Sequence, residues 1–76
     1  MPRLNCTFRQ FIEILLAHGF ELLRHDGGSH RRYRGVVDGV VCYVDVAAHN
    51  LGDHPKPGTL KSMIRQSRLP KRLFRK

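Results

Sequence analysis

Two tight-turn signals in the middle of the chain constrain its fold more than any other feature. Asp26-Gly27-Gly28-Ser29 joins glycines, which tolerate positive φ, to Asp and Ser, whose side chains bond their own backbone. Val37-Asp38-Gly39 follows, and Asp-Gly is a favoured hairpin dipeptide. Three short segments lie around these turns: Phe20-Glu21-Leu22-Leu23-Arg24, residues 30–36, and Val40–Ala47. The last is rich in valine and carries Tyr43, as strands favour. The pattern predicts a three-stranded antiparallel meander.

Helical signals flank the meander. Thr7 with Gln10 three residues on is a capping-box pattern. Phe8, Phe11, Ile12, Leu15 and Leu16 then recur at helical spacing and predict a buried stripe. Arg9, Gln10 and Glu13 take the other face, and Gly19 is placed to end the helix at C′. Residues 48–57 read as a loop. A second helix starts at Pro57 or Gly58. Leu60, Met63, Ile64 and, after a break, Leu69 mark its buried face, with Lys61, Arg65 and Arg68 outside. Pro70 stops it, and Leu73 and Phe74 of the basic tail are expected to fold back onto the core. The predicted order is α-β-β-β-α, an α+β fold with two helices on one face of a three-stranded antiparallel sheet. Double-stranded-RNA-binding domains share that order and read RNA by shape and phosphate contacts.

With 76 residues, the chain is expected to form a single domain over residues 1–76. A chain this short buries only about 60% of its unfolded surface, so a partner can add to its stability. The two cysteines, Cys6 and Cys42, form no Cys-x-x-Cys pair and read as reduced thiols, with Cys42 packed in a strand. The N-terminal residues do not read as a signal peptide, and no apolar run approaches a membrane span. The expectation is a cytoplasmic protein without membrane association.

Fourteen Lys+Arg against six Asp+Glu give a net charge of +8. That excess suits a polyanionic partner, nucleic acid foremost, although an acidic protein would also fit. Ten of the fourteen are arginine, which favours bidentate phosphate contacts and base stacking.

His30 stands where the glycine turn meets the second strand, with Arg31, Arg32, Tyr33 and Arg34 behind it. Strand alternation puts Arg32 and Arg34 on the face of His30, with Arg31 and Tyr33 opposite. From residue types alone, His30 has three readings: it bonds the turn, grips a phosphate, or moves a proton near neutral pH. Backbone N–H groups of Gly27, Gly28 and Ser29 are positioned to face an anion. Ser29 reads as a turn cap, since no Ser-His-acid arrangement is visible. Tyr33 either stacks on a base or packs in the sheet. His49, His54 and Asp53 can be drawn as a metal site, but the simpler reading is a solvated loop; His49 is also a candidate second acid–base group. Lys56 and Lys61 flank a helix start suited to phosphate. His18 and His25 read as surface or helix-end residues.

Gly28-Ser29-His30 after the first strand, Gly58-Thr59-Leu60-Lys61-Ser62-Met63-Ile64-Arg65-Gln66 opening the last helix, and the leading FIEILLAHGFELLR together resemble the HicA toxins. The resemblance runs from about Phe8 to Phe74. It implies a double-stranded-RNA-binding-like fold and a ribonuclease that cleaves messenger RNA. It also implies neutralisation by a HicB-type antitoxin. The family's functional histidine falls on His30. On this reading His30 is the acid–base residue of a metal-independent endoribonuclease acting on single-stranded RNA without a cofactor. Gly28 and Ser29 shape its turn, and Arg32, Arg34, Lys56 and Lys61 contact RNA. Two other readings remain: a non-catalytic RNA-binding module, and a structural subunit that uses its basic face for protein contacts.

Overall fold

The computed structural model describes residues 5–26 and 29–75. Helix α1 (Phe8–Ala17) leads into strands β1 (Glu21–Asp26), β2 (His30–Val37) and β3 (Val40–Ala47). Helix α2 (Pro57–Ser67) and a 3₁₀ turn at Lys71–Phe74 complete the order. The sheet is an antiparallel meander in the order β1-β2-β3. Both helices contribute to one core against one sheet face, so the fold is the α+β, double-stranded-RNA-binding-like arrangement that the predicted order of elements implied.

Alternation in β2 and β3 sets the two faces. Tyr33 and Gly35 of β2 point inward with Cys42, Val44 and Val46 of β3. They meet Phe11 and Leu15 of α1, Leu60, Met63 and Ile64 of α2, and Phe74. Phe74 does fold back, and its ring stacks on Phe11 with centroids 5.0 Å apart. Cys6 and Cys42 are both buried free thiols. Among the described residues the opposite sheet face carries no helix and stays exposed, with His30 and Arg32 on β2 and Val41, Tyr43 and Asp45 on β3.

The element ends show why the chain turns where it does. Thr7 accepts from the Gln10 N–H while the Gln10 side chain accepts from the Thr7 N–H, completing the capping box. Two further N–H groups of the first turn, on Phe8 and Arg9, bond the carbonyls of Asp53 and Leu51. The loop before α2 is therefore pinned to the start of α1 rather than simply solvated. Gly19 takes the left-handed φ of +87° after the cap at His18. The next N–H, on Phe20, returns to the Leu15 carbonyl at 3.0 Å. Asp38 and Gly39 both have positive φ, as a two-residue type I′ hairpin turn demands.

Two sequence expectations need correction. Leu16 is 52% exposed, and Ile14 takes its place in the buried stripe of α1. A straight 3.6-residue repeat admits both positions, and the direction of the packed sheet selects one. The first strand starts at Glu21 rather than Phe20. Phe20 uses its N–H to close the helix and sends its ring under β2, where Gly35 leaves room for it.

Candidate active site

His30 opens β2 at one end of the exposed sheet face. Its position is fixed from both sides. The Ser29 carbonyl accepts from the Ala48 N–H at 3.0 Å, and His30 lies opposite Ala47 of β3 and Asp26 of β1. The ring is therefore carried on a paired central strand and exposed to solvent. Ser29 is partly buried at the turn. Gly27 and Gly28, expected to shape that turn, lie outside the described residues.

The register arranges the neighbours in rows, because directly opposed residues of an antiparallel pair project from the same face. The next row holds Arg24, Arg32 and Asp45, and the one after it Glu21, Arg34 and Tyr43. Arg24 reaches its row through a β-bulge between Leu22 and Arg24. Without the extra residue, Leu23 would oppose Arg32 and Arg24 would face the helices. Arg24, His30, Arg31, Arg32 and Asp45 together line an open cleft of about 320 Å³. Three arginines and one carboxylate beside an exposed imidazole make a cleft suited to an anion.

Arg32 is tethered on two sides. Its guanidinium lies 4.6 Å from the centroid of the Tyr43 ring and 3.3 Å from the Asp45 carboxylate. Asp45 is held in turn, because its backbone N–H on the outer edge of β3 donates to Gln66 Oε1 of α2 at 3.1 Å. This bond closes part of an otherwise open strand edge. Both ion-pair partners are exposed, so the pair contributes about 0–1 kcal/mol to stability and opens easily.

The remaining expected site residues divide between two places. Lys56 lines a separate hollow with Ala47, His49, Asp53 and His54, at the His30 end of the sheet. Lys61 lies elsewhere, in a cleft of about 520 Å³ with Asp38, Arg65, Arg68 and Lys71. Asp38 marks the far end of β2, about 25 Å along the strand from His30 at ~3.3 Å per residue. Arg34 is partly buried on the His30 face. Among the described residues, no group of three His, Cys, Asp or Glu side chains is placed to hold a metal ion, so His49, Asp53 and His54 do not assemble as one. Tyr33 is only 4% exposed and serves the core, which removes it as a base-stacking residue. That burial raises its phenol pKa, while the charge of Arg31 pulls the other way.

Sequence reasoning missed three members of this face. Tyr43 and Asp45 were legible in principle: counting by twos from the inward Cys42, Val44 and Val46 turns both outward. Arg24 was not, since its placement depends on a bulge that no local signal announces.

The basic α-β-β-β-α domain has a double-stranded-RNA-binding-like fold and carries an exposed histidine among arginines. Residues 8–69 match the family described as "HicA toxin of bacterial toxin-antitoxin". The chain belongs to that family and is a toxin of the toxin–antitoxin kind. No curated protein matches it. No solved structure matches it. No helix among the described residues is long and apolar enough to cross a membrane.

Proposed function

We propose that the protein is a metal-independent endoribonuclease that cleaves messenger RNA, with His30 as its acid–base residue, and that a HicB-type antitoxin neutralises it. The observation that carries this reading is the exposed His30 on a paired strand, flanked by arginines on the same face.

RNA brings its own nucleophile. The ribose 2′-oxygen attacks the adjacent phosphorus as its proton passes to a base. The phosphorus–5′-oxygen bond breaks, and the leaving oxygen takes a proton from an acid. The products are a 2′,3′-cyclic phosphate and a 5′-hydroxyl. An imidazole serves either proton transfer near neutral pH, and positioned transfer is worth roughly 10²–10⁴-fold in rate. Arg24 and Arg32 stand where they would balance the charge that grows on the phosphorane oxygens. Arg34 and Lys56 extend the positive surface along the strand and around the sheet end. Lys61 sits too far from His30 to touch the same phosphate, and its contact falls on a more distant part of the RNA.

The antitoxin fits the same logic. An acidic partner laid over this face covers His30 and displaces RNA at once. The test uses an RNA with a single 2′-deoxyribose at the cleavage position. The proposal expects no cut at that position, unimpaired cuts elsewhere, cyclic-phosphate ends on the products, and suppression of all cutting by stoichiometric antitoxin. Cutting at the 2′-deoxy position would overturn the chemistry. Cutting that persists with the antitoxin bound would overturn the mode of neutralisation.

A further inference from the structure

Tyr43 is the large aromatic side chain that the fold leaves on the open sheet face. The other tyrosine is buried, all four phenylalanines are core or covered, and the chain has no tryptophan. Tyr43 is 42% exposed, and the Arg32 guanidinium carbon lies over its ring, 4.6 Å from the centroid. Arg32 is held by Asp45, and Asp45 by Gln66 of α2. Contacts running from helix to strand edge thus set an exposed phenol ring and a guanidinium side by side. Nothing in the core requires this, since an exposed ion pair and an exposed cation–π contact add little to stability.

Along the strands the order is His30, then Arg32 with Asp45, then Arg34 with Tyr43. Tyr43 is four residues along β3 from Ala47, the partner of His30, or about 13 Å at ~3.3 Å per residue. An extended single strand of nucleic acid covers that distance in a few nucleotides. Its phosphates need cations along that path: Arg32 stands between the two points, and Arg34 lies level with Tyr43. Its bases need flat apolar surface, which Tyr43 supplies.

We infer that Tyr43 is a base-stacking platform for single-stranded RNA that runs along β2 and β3, with Arg32 meeting the phosphate between the stacked base and His30. This rests on the reading of His30 as the place where the backbone is cut. Stacking on an aromatic ring is sequence-tolerant, so the platform sets where the strand lies more than which base is chosen. It also excludes a rigid duplex as the substrate of this face, because a paired base offers no free surface to the ring.

The experiment measures binding of a short single-stranded RNA in the His30→Ala background, so that cutting does not interfere. Tyr43→Leu and Tyr43→Phe are compared there, with thermal melts to confirm that this surface exchange leaves the fold intact. The inference expects Tyr43→Leu to weaken binding roughly 5- to 100-fold and Tyr43→Phe to stay within about twofold of the parent. An abasic nucleotide is then walked along the RNA. At one position it should weaken the parent as much as Tyr43→Leu does, and it should cost Tyr43→Leu nothing further. Unchanged RNA affinity in a folded Tyr43→Leu overturns the inference. So does a loss confined to antitoxin binding, which would make the ring a protein contact. A protein that binds RNA in this Tyr43-dependent way but never cuts it supports the platform and refutes the catalytic role of His30. Cutting that ignores Tyr43 in the His30 protein refutes the platform alone.

Discussion

Gly35 is the point at which β2, the strand that carries His30, comes closest to the layer beneath it. A methyl group added there would meet three carbons of the Phe20 ring at 2.6, 2.6 and 2.8 Å. Carbon atoms pack at about 3.5–4.0 Å, so the ring would have to retreat by roughly 1 Å. Phe20 has no room to do so, because it is buried and its backbone closes the end of α1. Overpacking of this kind costs about 1–3 kcal/mol. Replacing glycine by alanine also restricts the unfolded chain, which returns about 0.4–1 kcal/mol. The net expectation for Gly35→Ala is a loss of about 1–2 kcal/mol, or a fall in Tm of roughly 4–15 °C for a domain of this size. Urea unfolding followed by circular dichroism measures it, with an unchanged m-value as the sign that the same surface unfolds. Gly58→Ala is the control. Its added carbon meets nothing within 4 Å in the first turn of α2, so the variant should gain up to about 1 kcal/mol. A Gly35→Ala protein as stable as the parent would refute the close-contact argument.

Other substitutions probe the caps, the core and the site. Ser67 is fully buried, donates to the Ile64 carbonyl at 2.6 Å and accepts from the Leu69 N–H at 3.1 Å. Ser67→Ala strands that N–H and should lower stability by about 1–3 kcal/mol in the same urea assay. Thr7→Ala removes one arm of the capping box and should cost about 0.5–2 kcal/mol. Burial raises the Tyr33 pKa above 10.0, so above that pH the unfolded chain loses its phenolic proton before the folded one does. Stability is complete below pH 10 and falls as the pH rises through the folded value; the drop in urea midpoint between pH 9 and 11 should be smaller in Tyr33→Phe. Arg32→Ala should weaken RNA binding roughly 10- to 100-fold and lower the slope of log affinity against log salt by about one, whereas Lys61→Ala should leave the cutting rate of bound RNA unchanged.

The fold was readable where local chemistry decides the outcome. Asp38-Gly39 can make one kind of hairpin, Thr7 with Gln10 marks one helix start, and the valines of β3 leave little alternative to a strand. Those signals, with the apolar spacing of Leu60, Met63 and Ile64 after Pro57-Gly58, set the meander and both helices. What stayed hidden depends on contacts between distant residues. The choice of Ile14 over Leu16 follows from how α1 sits on the sheet. The exclusion of Phe20 from β1 follows from Gly35, fifteen residues later. For the site, strand alternation correctly placed Arg32 and Arg34 on the face of His30. The same alternation, had it been carried into β3, would have exposed Tyr43 and Asp45. Arg24 stayed out of reach because a single bulged residue decides its side. Lys56 and Lys61 look equivalent in sequence as cations flanking one helix start, yet the turn of α2 sends them to separate hollows.

The central claim is that the imidazole of His30 moves a proton on an RNA held by its arginine neighbours. The most direct measurement incubates the parent protein and His30→Ala with the same single-stranded RNA in EDTA, and follows binding and cutting separately. The account predicts that both proteins bind and that the variant cuts roughly 10²–10⁴-fold more slowly than the parent. Equal cutting by the two proteins would contradict it and turn attention to His49.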